Sequence, residues 1–271
     1  MSRAEYIGRL IERKGYSSVT RLNKRIKEKI TQQKSRLVLA LDLAEDIYSL
    51  SEVKRAQART SLLHRATQIL VKAAPYLAAV KINYPLILAL GLDFTAQLLS
   101  TTDLITIGDV KIADIDNTAE WIARHLYGIG FDGLIAHPFV GFEKSLDGLF
   151  AVAREKERGV ILVINMSHPG SSLFITPCAD ALAEFAVEHT ADGVIAPATR
   201  PAEVESARSR LGNEMLILAP GVGAQEARPG DAIRAGADLE IVGRAIYQAD
   251  DPAYAARLIN DEINHACAEG E

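Results

Sequence analysis

Eight short apolar runs recur along this chain, and they limit its fold more than any other feature. They are Leu37-Val38-Leu39-Ala40-Leu41, Leu77-Ala78-Ala79-Val80-Lys81-Ile82, Leu104-Ile105-Thr106-Ile107 and Gly133-Leu134-Ile135-Ala136. Val160-Ile161-Leu162-Val163-Ile164, Gly193-Val194-Ile195-Ala196, Met215-Leu216-Ile217-Leu218-Ala219 and Leu239-Glu240-Ile241-Val242 follow. Longer amphipathic stretches separate them, notably 46–73, 117–127, 144–157 and 179–189. Strands that alternate with helices imply a parallel sheet buried on both faces. Eight such repeats in about 235 residues match a (β/α)8 barrel, which typically needs about 250. A doubly wound open sheet is the rival. It would carry Gly-x-Gly-x-x-Gly after the first strand, where Leu41-Asp42-Leu43-Ala44 stands instead. The expectation is an α/β protein with one (β/α)8 TIM barrel over residues 36–271 and a helical N-terminal extension over 1–35.

The extension is strongly basic. Residues 1–34 hold ten Lys/Arg against three Glu, a charge of +7; with −5 for the whole chain, the remainder carries −12. Ile7, Leu10 and Ile11 share one helical face and Leu22, Ile26 and Ile30 another, with Gly15-Tyr16-Ser17-Ser18 as the break. Packing against the barrel is the expected role, with a membrane-surface or partner-binding helix, or a targeting segment, as the alternatives. Glu5, Glu12 and Glu28 count against a transit peptide.

The net negative charge argues against a nucleic-acid partner. No apolar stretch is long enough to span a bilayer, and the N-terminus lacks a signal-peptide core, so no membrane partner is expected. Cys178 and Cys267 have no pairing or ligand spacing, which suits a reduced, cytoplasmic setting.

In a (β/α)8 barrel the active site is built at the C-terminal ends of the strands. Those ends deliver Asp42; Lys81 and Asn83; Asp109 and Lys111; His137; Asn165 and Ser167; Thr199 and Arg200; Pro220, Gly221 and Gln225; and Gly243 and Arg244. A barrel without a site would not need polar residues at nearly every end. Gly243-Arg244 follows strand eight, a common phosphate position, where glycine admits close backbone approach and arginine offers a bidentate fork. The glycine-containing loop from Gly221 to Gly230 has the length of a lid.

The densest charge lies in Asp109-Val110-Lys111-Ile112-Ala113-Asp114-Ile115. Strand alternation places Asp109 and Lys111 on one face, with Asp114 in the following loop. On these residues alone, a salt-bridged rim and a reacting centre remain open. Metal chemistry has no motif here: the histidines show no paired ligand spacing. No serine or cysteine nucleophile has a neighbouring base. Trp121 is read as a packing residue.

Six segments together resemble orotidine 5′-phosphate decarboxylase, particularly its archaeal-type members. They are Leu41-Asp42-Leu43, Val80 to Pro85, Asp109 to Ile115, Met166-Ser167-His168-Pro169-Gly170, Pro220 to Gln225, and Val242 to Tyr247, in family order from residue 36 to about 260. The resemblance implies decarboxylation of orotidine 5′-phosphate to uridine 5′-phosphate (UMP) plus CO2, in de novo pyrimidine biosynthesis, without cofactor or metal. It implies that Asp109 and Lys111 flank the reacting carboxylate, with Lys111 stabilising and protonating C6. Asp42 and Lys81 would extend the charge network and bind ribose hydroxyls. Ser167 would hold the pyrimidine, Gln225 would bridge pyrimidine and phosphate, and Gly243 and Arg244 would hold the phosphate. Pro220 and Gly221 would line the pocket. Asp114 and Thr118 would reach into the neighbouring site of a homodimer, with Ile115 beside them. One position departs: Asp116 stands where relatives often carry proline, which leaves that loop less rigid. Magnesium-dependent sugar-phosphate decarboxylases and hexulose-phosphate synthases share the Asp-x-Lys-x-x-Asp pattern. Ile115, the Ser167 turn and Gln225 favour the orotidylate enzyme. A silent phosphate-binding barrel would have no need of the Asp109–Lys111–Asp114 set.

Overall fold

A computed structural model describes residues 21–223 and 227–268. Eight parallel strands close into a barrel in sequence order: β1 (Leu37–Leu41), β2 (Ala79–Asn83), β3 (Ile105–Ile112), β4 (Gly133–Ala136), β5 (Gly159–Val163), β6 (Gly193–Ile195), β7 (Leu216–Pro220) and β8 (Leu239–Val242). β1 pairs with both β2 and β8, which completes the closure. The rival open sheet is thereby excluded. Each expected apolar run holds one strand, with ends that shift by a residue or two, except that β3 runs five residues past its expected end.

The helices are α1 (Arg21–Gln33), α2 (Glu52–Ala73), α3 (Tyr84–Leu99, broken at Gly91), α4 (Asp116–Gly128), α5 (Asp147–Glu155), α6 (Ser171–Glu188), α7 (Pro201–Leu211), α8 (Asp231–Arg234), α9 (Arg244–Tyr247) and α10 (Pro252–Ala268). Asp116, the position that departs from the family pattern, opens α4. Its carboxylate accepts from the Asn117 N–H at 2.7 Å. An acid in the first helical turn is favoured by the helix dipole, so the start of α4 is supported without proline's fixed φ.

Period-two alternation divides the strand side chains between two cores. Leu39, Leu41, Val80, Ile82, Leu134, Leu162, Val194 and Ile217 point outward and pack against the helices. Val38, Ala40, Ala79, Ile105, Ile107, Ile135, Ile161, Val163, Ile195, Leu218 and Ile241 fill the barrel interior. Helix α1 supplies two more members of that inner core, Leu22 and Ile26. It lies across the N-terminal mouth and plugs it. Leu22 fits a notch left by Gly133 and Gly159; a Cβ on Gly159 would stand 2.2 Å from Leu22 Cδ2. Arg25 of the plug pairs at 2.7 Å with Asp132, whose other oxygen accepts the Thr106 N–H at 2.9 Å. The expected packing role holds for the second helix of the extension. The first helix, with Ile7, Leu10 and Ile11, and the Gly15–Ser18 break lie outside the described residues.

Candidate active site

With one end plugged, the functional mouth is at the other. A cavity of about 360 Å³ opens there. The inward alternation of each strand, carried one step past its last apolar residue, arrives at the lining. Ala40 is followed by Asp42, Ala79 by Lys81, Ile107 by Asp109, Val163 by Asn165, Leu218 by Pro220 and Ile241 by Gly243, and all six successors line the cavity. The same periodicity that builds the interior therefore builds the site. Ile135, Val163 and Ile195 form an apolar floor beneath the polar ring.

Four of the lining residues form a line of alternating charge. Lys81 Nζ donates to Asp42 Oδ1 at 3.2 Å and to Asp109 Oδ2 at 2.7 Å. Lys111 Nζ donates to Asp109 Oδ1 at 2.5 Å. Lys81 and Asp109 are nearly buried, with side-chain exposures of 8% and 10%; Lys111 is 41% exposed and reaches toward the open end. Burial alone would lower the Lys81 pKa, but Asp109 and Asp42 more than offset it and the net shift is upward. Burial alone would raise Asp109, but Lys81 and then Lys111 bring it below the usual carboxylate value. Both groups are thus held charged at neutral pH.

Lys111 reaches this position by a route that simple alternation does not describe. Between Gly108 and Ile112 the ladder from β3 to β4 slips, so that four residues of β3 span two of β4. Within this bulge Lys111 has φ 48°, a left-handed backbone. Such a conformation costs a non-glycine residue about 1–2 kcal/mol. Asp109 and Lys111 do share the cavity, as expected, but the irregular backbone sets the aim of Lys111. Bulges of this kind re-aim side chains next to active sites.

On the far side, Pro220, Gly221, Val222, Gly243 and Arg244 line the same cavity, and Tyr247 folds back over it from α9. Ser167 lines the wall between the two ends. Its loop is fixed by a polar network: Asn165 Oδ1 accepts from the Met166 N–H at 2.8 Å and from Thr176 Oγ1 at 3.0 Å. Arg200 donates to the Met166 carbonyl, and to Ser171 Oγ at 3.2 Å.

Several expected residues do not line this chain's cavity. Asp114 and Ile115 are exposed and Thr118 is half-buried at the start of α4, all outside the lining. Gln225 lies outside the described residues. His137 is half-buried, its ring 5.2 Å from Phe139, and His168 is exposed; neither reaches the cavity. Trp121 is not a core residue of this chain: it is 55% exposed, its ring 5.9 Å from His125. Sequence reasoning missed Tyr247 and the apolar floor. Tyr247 follows Arg244 by three residues, a spacing that one helical turn brings to the same side. Floor residues look like any other core position in a sequence.

A plugged (β/α)8 barrel with a lysine-aspartate array at its mouth, and Gly-Arg after the eighth strand, belongs to the class of barrel enzymes that act on phosphorylated substrates. Within that class the family is specific. Residues 35–259 match the family model of the orotidine 5′-phosphate decarboxylase / HUMPS family, and the chain belongs to it. A relative from Methanococcoides burtonii, an orotidine 5′-phosphate decarboxylase, is 42% identical over 233 residues, 86% of this chain and 99% of the relative. The crystal structure of orotidine 5′-phosphate decarboxylase from Pyrococcus horikoshii is 42% identical, with a TM-score of 0.71 over 84% of this chain and 98% of that one. The enzyme from Methanocaldococcus jannaschii, complexed with the inhibitor BMP, is 33% identical, with a TM-score of 0.74 over 85% and 99%.

Proposed function

We propose that this chain decarboxylates orotidine 5′-phosphate to UMP and CO2 in pyrimidine synthesis, without metal or cofactor. The observation that carries the reading is the Asp42–Lys81–Asp109–Lys111 array in one cavity with Gly243 and Arg244. The family and its relatives set the substrate; the array supplies a chemistry that fits it.

In this reading the phosphate lies at Gly243 and Arg244, the pyrimidine beside Ser167 and Pro220, and the ribose hydroxyls at Asp42 and Lys81. That leaves C6 and its carboxylate between Asp109 and Lys111. Loss of CO2 leaves negative charge on C6 with no adjacent carbonyl or imine to absorb it. The Lys111 ammonium, already in place, stabilises that charge and then donates a proton to the carbon. Asp109 opposes the substrate carboxylate. At 4 Å, two bare like charges repel by about 4 kcal/mol at an effective dielectric near 20. Lys81 and Lys111 both contact Asp109, so the felt repulsion is smaller. It falls as CO2 departs, while the phosphate end holds the substrate.

Asp114 and Thr118 complete the site from a second subunit in this reading. Their position outside their own cavity supports it. So does a series of exposed apolar side chains after three consecutive strands: Tyr84 and Leu88 after β2, Ile115 and Trp121 after β3, and Phe139 after β4. Residues 36–271 act as one catalytic unit, with 1–35 an extension whose α1 seals the barrel base. Among the described residues no helix is long and apolar enough to cross a membrane, and Cys178 and Cys267 are free thiols, which fits a cytoplasmic setting.

The test is to incubate the purified protein with orotidine 5′-phosphate plus EDTA and follow loss of the orotate absorbance. Turnover that survives EDTA is expected. No turnover with EDTA or in a parallel sample without it would overturn the reading. Turnover abolished by EDTA would point to the magnesium-dependent relatives.

A further inference from the structure

One buried charge takes no part in the site. Glu240 interrupts the last apolar run and is fully buried in β8. Its neighbours Leu239 and Ile241 face the barrel interior, so its side chain faces the helices. Among the described residues no lysine or arginine pairs with it. The carboxylate instead accepts three backbone N–H groups: Gly230 at 2.8 Å, Ala232 at 2.9 Å and Ile233 at 3.3 Å. All three partners donate, which matches an ionised carboxylate with acceptors only. Burial nonetheless pushes its pKa up, against the pull of those three N–H groups, so ionising it works against stability. An apolar residue would serve an ordinary strand position better.

The anchored segment leads back to the cavity. Gly230 has φ +92°, and a Cβ there would stand 2.3 Å from Ala266 Cβ, so this turn is wedged between β8 and α10. Asp231 N–H donates to the Arg228 carbonyl at 3.2 Å, and Arg228 N–H to the Asp231 carboxylate at 3.3 Å. Ala227 then bridges to Val222 and accepts the Gly223 N–H at 2.9 Å. Val222 lines the cavity, as do Gly243 and Arg244, which follow Glu240 on the same strand. We propose that Glu240 is a positioning residue that fixes the segment after β7 to β8, and so holds the Pro220–Gly223 wall at its working distance from Gly243 and Arg244. The proposal rests on the reading that Gly243 and Arg244 bind the substrate phosphate.

The experiment compares UMP with uridine, which lacks the phosphate, as ligands of the full-length wild-type, Glu240→Gln and Arg244→Ala proteins. Glutamine keeps the size but turns one acceptor into a donor that faces an N–H. Glu240→Gln is expected to weaken UMP by about tenfold, the scale of one lost charge-assisted hydrogen bond, with uridine changed less than about twofold. A merely structural role would weaken both ligands alike, and that result overturns the proposal. So does unchanged UMP affinity in Glu240→Gln while Arg244→Ala discriminates the two ligands. If Arg244→Ala fails to discriminate them, the phosphate reading itself falls, and the proposal with it. Amide exchange in the wild-type protein needs no variant. UMP should slow exchange at Gly230, Ala232 and Ile233 more than uridine does; equal effects overturn the proposal.

Discussion

At the scale of single residues, the site is a set of charges that depend on one another. Lys111→Ala is expected to lower turnover by at least about 10³-fold, because among the described residues the only other lysine that lines the cavity, Lys81, is nearly buried between Asp42 and Asp109. UMP binding, measured by calorimetry, should stay within about tenfold, since the phosphate contacts lie elsewhere. Unchanged turnover would remove Lys111 from the proton-donor role. Asp109→Asn reports on stability. It leaves the nearly buried Lys81 with only Asp42, at 3.2 Å, and should cost about 3 kcal/mol in urea unfolding, at the low end for a broken buried pair. The pH dependence follows from the sign of the shift. Asp109 titrates below 3.8 when folded, so its contribution is present above the unfolded value and lost as pH falls through the lower folded one. Lys81 is shifted up from 10.5, so its contribution is present below that value and lost as pH rises through the folded one. The difference between wild type and Asp109→Asn should therefore be flat between about pH 5 and 9 and shrink in acid below that. Asp42, Lys81 and Asp109 were legible because each follows an apolar inward position by two. The left-handed backbone of Lys111 was not, since nothing in Val110-Lys111-Ile112 signals a bulge.

At the scale of elements, α1 shows where pattern reading stops. The Leu22, Ile26, Ile30 stripe predicts a helix with one apolar face, and the helix is there. Its docking place depends on Gly133 and Gly159, whose missing side chains make room for Leu22. A glycine that begins a strand carries no such message by itself. Leu22→Ala should cost about 2–5 kcal/mol, as for other leucines removed from a packed core. Gly159→Ala forces a Cβ to 2.2 Å from Leu22 Cδ2, 2.7 Å from Leu22 Cβ and 2.8 Å from Asp192 Cγ, and should cost about 1–3 kcal/mol. The double variant should be less destabilised than the sum by about 1 kcal/mol, because Leu22→Ala removes the Cδ2 contact while the Cβ and Asp192 contacts stay. Strict additivity in thermal or urea unfolding would show that α1 does not occupy the notch. The barrel itself was legible at this scale because eight buried strands leave eight apolar runs. The network of Asn165, Thr176 and Arg200 was not, because its members come from three separate segments.

At the scale of the whole molecule, the described chain holds only part of the site that the family pattern leads one to expect. Asp114 and Thr118 stand outside the cavity beside exposed Ile115 and Trp121, which makes the assembly a question about catalysis. Closed symmetric dimers bury the same patch on both subunits, so each chain would lend the other its Asp114. Trp121 becomes intelligible in this setting: a packing residue by sequence, it is 55% exposed on its own chain, with its ring 5.9 Å from that of the exposed His125. The dependence can be measured by complementation. Lys111→Ala and Asp114→Ala are each inactive alone if both residues are needed. In a mixed dimer one site combines both defects, while the other takes Lys111 from one chain and Asp114 from its partner and is intact. Random reassortment of equal amounts makes half the dimers mixed, so activity should recover to about a quarter of wild type. If Asp114 served its own subunit, every site in the mixture would carry one defect and no activity would return. Ile115→Glu should place a charge in the shared surface, shift the protein to monomer in sedimentation, and lower turnover by at least about tenfold without touching the Lys111 side of the site. A monomer with undiminished turnover would show that each barrel is complete on its own.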